Sequence, residues 1–430
     1  MPSERPLPAY SFRKDQASLW TMLRHGVSDV SSVIPDTILE LDAVQLPGPG
    51  APFIVASPAL ARAVLNDRSD HFGRDRFSRR MFRRAWGSGL AGAEGEAWQR
   101  QRRAVVPQLT PKAVKERLAD FVAASDAVID QLGDETELDL VRFAGRIVAR
   151  VVFSVLVDAR GQADPDAAAA DMPAYVRRIA GFGLLDLLPL PEALIDRLRG
   201  IDSDPSVQRV RALGKRLAQD RSEGLPRSDM IALLDGKGPF EDNIRGLIPA
   251  ALDTTVTGLG WAFYVLAQRP DLKERVAAEG RDLDAVPLLD GLTVTRQVVN
   301  EVLRMFPPAP LVARSAMRDL DFADHKLKAG QTVLVAIYAM HRHRKLWANP
   351  DYFDPDRWTS ENVNPDAYMP FGAGPRMCVA AHFAQAEIAV ILARIAARFR
   401  IEPAGTAPIV SLQNATRSIN GLGARLHRRT

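Results

Sequence analysis

The sequence is short of sulfur. A single cysteine, Cys378, stands among 430 residues, which excludes an intrachain disulfide, a zinc finger and any cysteine-rich cluster site. A lone thiol suits a reducing compartment, so a cytoplasmic location is expected. An excess of one charge is also lacking: 56 Lys and Arg against 52 Asp and Glu leave +4, too little to imply nucleic-acid binding by itself. No fixed-period repeat, heptad run or low-complexity tract occurs, which excludes an array or a fibrous chain. The opening residues MPSERPLPAYSFRKDQ carry charges and three prolines where a secretory leader has an apolar run, so export is not expected. One stretch has the length of a membrane span: 23 residues between Arg245 and Arg269 whose only charge is Asp253. Pro249, Asp253 and four threonine or glutamine side chains favour a buried central helix instead.

What the sequence does hold is a globular composition, 47% hydrophobic and 25% charged, able to bury a large core. At about 150 residues per domain the length suggests about three domains, but no linker is long or polar enough to divide it. One domain over 1–430 is expected, with 1–40 as an N-terminal extension, a small β region at 41–57 and 309–340, and a helical remainder. Residues 43–57 read as turn chemistry followed by a short apolar strand. From Ala59 to Glu301 the pattern is mostly helical, with periodic apolar residues in 112–131, 142–157 and 205–220. Residues 158–171 read as a surface loop between helices. The period then changes: Leu320 and Phe322 share a face, a turn falls at Lys328-Ala329-Gly330, and TVLVAIY is β-branched, together suggesting a small hairpin sheet. After Cys378 a final helix places Phe383, Ile388, Ile391, Leu392, Ile395 and Phe399 on one side, with Arg394 and Arg398 facing away. The expected fold class is mainly α with a small β region.

Around the cysteine the sequence reads MPFGAGPRMCVA, residues 369–380. Gly372 and Gly374 let the backbone turn sharply and approach a ligand closely, and Pro375 stiffens the turn. Arg376 precedes Cys378 by two residues, and an apolar helix follows, so the helix N-terminus is expected to favour thiolate. The run Phe371-Gly372-x-Gly374-x-Arg376-x-Cys378 resembles the heme-binding loop of the cytochrome P450 family. Three further motifs fall in that family's order. Glu301-Val302-Leu303-Arg304 resembles its ExxR signature. Phe353-Asp354-Pro355-Asp356-Arg357-Trp358 resembles the segment whose arginine completes a Glu–Arg–Arg network, here Glu301, Arg304 and Arg357. Trp98-Gln99-Arg100-Gln101-Arg102 resembles its helical WxxxR pair.

The resemblance covers roughly residues 40–425 and implies a long central helix over a heme b whose iron Cys378 ligates. Trp98 and Arg102, one helical turn apart, can reach one anionic group. The resemblance implies heme propionates, and by position Arg314, in PPAPLVARSA, and Arg376 join them. Arginine suits bidentate carboxylate binding.

Within the apolar segment, Ala250-Ala251-x-Asp253-Thr254-Thr255 resembles the family's oxygen-binding motif. Heterolytic dioxygen activation consumes two protons in a pocket that excludes bulk water. Asp253 is therefore expected to relay protons and Thr254 to hold the distal oxygen, with Thr255 merely bonding back to its own helix. Pro249 is expected to kink or loosen the helix near Asp253. Two departures from the family pattern stand out: Ala380 and Ala251 occupy positions where it usually has Gly. Each adds a methyl group and removes no reacting group.

Residues 74–84 carry six arginines, read as a solvated face. A second basic set, Arg100, Arg103, Lys112, Arg342, Arg344 and Lys345, is read as docking an acidic ferredoxin or flavoprotein, because no such domain is recognisable in the sequence. His341 and His343 lack a carboxylate partner in sequence, which argues against a metal site. By resemblance, 73–92, 172–191, 308–313 and 413–420 face the substrate, and the apolar run MPAYVRRIAGFGLLDLLPLP predicts a lipophilic one: a fatty acid, terpenoid or polyketide. The activity implied is a monooxygenase inserting one atom of O2, by hydroxylation or epoxidation, into that substrate. A peroxygenase or isomerase on the same fold would not need the Asp253-Thr254 relay, and a heme-based sensor would consume no oxygen with substrate.

Overall fold

The computed structural model describes residues 7–15, 30–67, 69–157, 164–181, 184–187, 190–222, 237–281, 283, 289–359, 363–413 and 415–429. Helices dominate: α1 (Pro58–Leu65), α2 (Arg76–Trp86), α3 (Gly95–Val105), α4 (Pro111–Lys115), α5 (Leu118–Ile129), α6 (Leu140–Val151) and α7 (Pro165–Ala180). They continue with α8 (Glu192–Leu198), α9 (Pro205–Ser222), α10 (Phe240–Gln268), α11 (Pro270–Arg281), α12 (Thr293–Met305), α13 (Ile337–Met340) and α14 (Ala381–Arg398). Their starts are chemically marked. Ser57, Asp75, Thr110, Asp139 and Asp164 each accept a hydrogen bond from a first-turn N–H with the side chain, satisfying donors that a helix leaves unpaired.

The strands are small and peripheral. β1 (Ala43–Gln45), β2 (Phe53–Val55), β3 (Phe72–Gly73), β5 (Val312–Ala316) and β8 (Thr332–Val335) form one sheet in the order β1-β2-β8-β5-β3. A second sheet, β4-β12-β9, joins β4 (Glu135–Asp139), β9 (Phe399–Pro403) and β12 (Gly423–Arg428). Two ladders stand alone: β6 (Leu320–Phe322) with β7 (His325–Leu327), and β10 (Val410–Ser411) with β11 (Arg417–Ser418). The expected class, mainly α with a small β region, is the one observed.

Several local expectations are corrected. Leu320 and Phe322 pair with 325–327 across Ala323 and Asp324, both at positive φ, while the turn at 328–330 leads into β8. TVLVAIY is a strand only to Val335, and Ile337 begins a helix. Of the expected loop 158–171, residues 158–163 lie outside the described residues. From Pro165 the chain is helical, because Asp164 caps it, Pro165 suits the first turn and alanines extend it. α10 runs as α-helix straight across Pro249, without the loosening expected near Asp253. A proline removes only one of the many hydrogen bonds of a 29-residue helix.

The C-terminal half of α10 is buried nearly all round, which explains the apolar run that resembled a membrane span. Among the described residues no helix is long and apolar enough to cross a membrane. Three charges expected at the surface are inside. Arg394 is buried and donates to both oxygens of Asp126 at 2.8 and 2.7 Å. Arg80 and Arg84, from the run read as a solvated face, are buried and converge on Asp186 Oδ1 at 3.1 and 3.2 Å. Arg84 also reaches Asp196 at 2.5 Å, and Arg199 closes on Asp186 Oδ2 at 2.7 Å. This ionic clasp ties α2 to the segment between α7 and α8, because buried charge is tolerated only with its counter-charge.

Candidate active site

Cys378 lies on the loop entering α14. Its N–H donates to Phe371 O at 3.0 Å, closing the loop on itself. Gly374 has φ of 76°, and a Cβ there would meet Leu65 O at 2.1 Å, so only glycine fits. Gly372 shares the positive φ, 72°. The cysteine is accessible to solvent, yet the protein around its thiol raises its pKa by burial, against the Ala380 N–H and Arg102, which lower it. The expectation that the loop alone favours thiolate is thereby corrected: burial outweighs the helix end, which begins three residues later at Ala381.

Arg102 acts on this thiol, and Arg376, Arg314 and Arg74 form one cluster of guanidiniums with it. Arg102, one turn beyond Trp98 on α3, lies over the Trp98 ring at 5.7 Å, and Arg376 over the same ring at 4.4 Å. Arg314 comes from β5, pointing its desolvated head toward the same group. The fourth, Arg74, was missed by sequence reasoning because it sits in a run that looks like surface. Their hydrogen bonds go to backbone carbonyls: Arg74 to Ala91 at 2.6 Å, Arg314 to Ala313 at 2.9 Å, Arg376 to Ala93 at 3.0 Å. Burial and mutual repulsion press Arg74 and Arg376 down to about 10, with Glu94 as partial relief. All remain charged at neutral pH. A surplus of desolvated cations extending from Arg102 beside the thiol is a donor set for a ligand bearing carboxylates and a thiolate-binding metal, and heme b fits it.

Behind the loop, Glu301 and Arg304 on α12 are wholly buried and paired by two hydrogen bonds of 2.8 and 2.9 Å. Arg357 adds 3.0 Å to Glu301 Oε1, and Trp358 Nε1 adds 3.1 Å to Oε2. Arg304 also donates to the carbonyls of His341, Pro350 and Tyr352. His341 joins this network to the loop: one ring nitrogen faces Arg304 O at 3.0 Å and the other accepts from Met369 N–H at 2.9 Å. A carbonyl only accepts, so Nδ1 carries the proton. Burial, reinforced by Arg304, pushes His341 down to about 3, so the ring is neutral.

On α10, Thr254 is exposed and its hydroxyl donates to Ala250 O at 2.9 Å. Thr255 is buried and engages Glu387 of α14, unlike the back-bonding expected of it. Glu387 is fully enclosed, and burial raises its pKa well above the usual carboxyl value, with Thr255 opposing the rise. Sequence reasoning missed it, since a lone Glu in a helix signals nothing. Asp253 bonds Arg417 through both oxygens, and burial raises its pKa despite that cation.

The cytochrome P450 family profile matches residues 46–199 and 240–420. Cyclooctatin synthase of Streptomyces melanosporofaciens is 29% identical over 74% of this chain and 73% of its own. Cyclooctat-9-en-7-ol 5-monooxygenase from the same organism is 28% identical over 83% of this chain and 81% of its own. Among solved structures, the cytochrome P450DA heme domain superposes with a TM-score of 0.76 at 20% identity, covering 98% of both chains.

Proposed function

The chain belongs to the cytochrome P450 family and is a heme b monooxygenase, and from that premise we propose which residues carry its chemistry. The bound heme supplies the redox-active iron that activates dioxygen. Cys378 would hold its iron through sulfur, since a metal-coordinating thiol is deprotonated. Trp98, Arg102, Arg314 and Arg376, with Arg74, hold the propionates, while Phe371, Gly372 and Gly374 shape the loop that presents the sulfur. The observation that carries this reading is a cluster of four guanidiniums, one of them acting on the Cys378 thiol, that hydrogen-bond backbone carbonyls or stack on aromatic rings. Glu301, Arg304 and Arg357 hold the loop from behind.

Asp253 and Thr254 deliver protons. While donating to Ala250 O, the Thr254 oxygen keeps lone pairs free to accept. Thr254→Ala is expected to keep heme bound but to lower product formed per electron pair by about tenfold or more, with peroxide rising in step. Peroxide and product measured against electrons consumed check this, and unchanged coupling would remove Thr254 from the relay.

The substrate is proposed to be lipophilic and the electrons to come from a separate ferredoxin or flavoprotein. Arg342 leaves the docking set because it is buried against the Tyr338 ring, and Arg344 is paired with Glu40. Arg100, Arg103, Lys112 and Lys345 remain exposed. Reduction by an acidic donor is expected to slow as salt rises; a rate independent of ionic strength would remove this docking face. The chain is proposed to act as one domain in the cytoplasm. A spectral-shift screen over fatty acids, terpenoids and polyketides, with the reduced carbon-monoxide spectrum as control, tests the substrate class; no response across all three would overturn it.

A further inference from the structure

Thr255 of α10 meets Glu387 of α14, and a Cβ on Gly258 would meet Ile388 of the same helix at 3.1 Å. That face of α10 therefore lies against the helix that follows Cys378. Asp253 and Val256, each two positions earlier, point about 200° round the helix and so away from α14. On that far side lies a cavity of about 760 Å³, walled by α6, α7, α10 and residues 416–422. Its wall contains neither Cys378 nor Thr254, and none of Arg74, Arg102, Arg314 and Arg376. Of the segments expected to face the substrate, parts of 172–191 and 413–420 line this cavity, and 73–92 and 308–313 do not.

The lining is amphipathic. Ala169 and Pro173 of α7, Val141 of α6, Val256 of α10 and Ile419 supply apolar surface, and Met172 and Leu252, both buried, lie deepest. The three carboxylates of the wall are already satisfied. Asp253 holds Arg417 at 2.5 and 2.6 Å, Asp166 holds Arg146 at 3.3 Å and Arg150 at 2.9 Å, and Asp139 accepts from the N–H groups of Arg142 and Leu422, both at 2.9 Å. The guanidiniums of Arg142 and Arg177 are different. Both residues are exposed at the mouth, and among the described residues neither guanidinium has a carboxylate partner. Four arginines against three aspartates leave the cavity one positive charge in excess. A chamber of this size, apolar within and cationic at its mouth, is complementary to an apolar body carrying a single anionic group. We propose that it is a second small-molecule site, separate from the heme pocket, for a lipophilic monocarboxylate. The apolar body lies against Ala169, Pro173 and Val256, and the carboxylate meets Arg142 and Arg177.

Calorimetric titration of the ferric holoenzyme with decanoate, with the heme absorption followed on the same samples, tests the site. Binding beside the iron moves the heme spectrum, and binding in this cavity leaves it unchanged. A spectrally silent site for decanoate is expected. In the double variant Arg142→Gln with Arg177→Gln, its affinity is expected to fall by about tenfold, while that for decanol, which carries no charge, stays within about twofold of the wild type. Decylammonium is expected to bind more weakly than decanol, because the excess positive charge repels it. Ala174→Phe, which narrows the cavity from α7, is expected to weaken decanoate and decanol together and to leave the spectral response to heme-pocket ligands intact. Absence of a silent site, or a silent site whose decanoate affinity neither the double variant nor Ala174→Phe changes, overturns the proposal.

Discussion

Arg304→Ala is expected to cost on the order of 3–5 kcal/mol of folding stability, a large part of the roughly 5–15 kcal/mol that holds a typical protein folded. The reason lies in Glu301. Its carboxylate is wholly inaccessible, and it is tolerable there because Arg304 satisfies it twice, with Arg357, Trp358 and the Asp354 N–H completing its shell. Removing Arg304 strands that charge and frees the carbonyls of His341, Pro350 and Tyr352. The His341 carbonyl is then a buried acceptor without its guanidinium, while Tyr352 O keeps Arg357. Denaturant unfolding of the holoprotein measures the loss. A double replacement, Glu301→Leu with Arg304→Met, is expected to cost less than the single one, because no charge is left behind. A single variant within about 1 kcal/mol of the wild type would mean the cluster is solvated rather than buried.

Cys378→Ala is expected to act in the opposite sense, sparing the fold and abolishing the chemistry. The loop closes through the Cys378 main-chain N–H to Phe371 O and the positive φ of Gly372 and Gly374, none of which needs the sulfur. The stability change is expected to stay within about 1 kcal/mol. The thiolate signature of the reduced carbon-monoxide complex is expected to vanish and product formation to fall to background. The pairing of unfolding and spectroscopy is decisive, since a variant that kept the thiolate signature would exclude Cys378 as the ligand.

These two residues mark the range of what could be read from the chain. The glycine-arginine-cysteine loop and the ExxR helix were legible because their chemistry is local: a turn that needs glycine, a pair three residues apart on one helix face. The central helix was legible from its length and its solitary Asp253. Arg74, Arg80, Arg84, Arg342 and Arg394 were not. In sequence each is an arginine beside other polar residues, and exposure is the ordinary expectation. Arg80, Arg84 and Arg394 are inside because a counter-charge arrives from far along the chain, Asp186 for the first two and Asp126 for the third; Arg342 packs on the rings of Tyr338, one turn back, and Phe306, and Arg74 is half-buried against the Ala91 carbonyl and the Phe82 ring. Glu387 was silent for a related reason, since its raised pKa comes from burial, with Thr255 of α10 as the opposing hydrogen-bond partner.

The sequence by itself determined the helical class and a small β region at 41–57 and 309–340, though not the β4-β12-β9 sheet, and by resemblance it gave the order of the motifs and pointed to the thiol. These rest on periodicity, turn chemistry and spacing, which act within a few residues of chain. Tertiary structure alone decided which charges are buried, that the thiol is raised rather than lowered before metal binds, and that Arg417 stands on Asp253. The energy of a charge depends on how much water is removed from around it and on which opposite charge replaces that water. For Arg80, Arg84, Arg394, Asp253 and Glu387 both depend on segments brought together from more than a hundred residues apart, and no local window contains them.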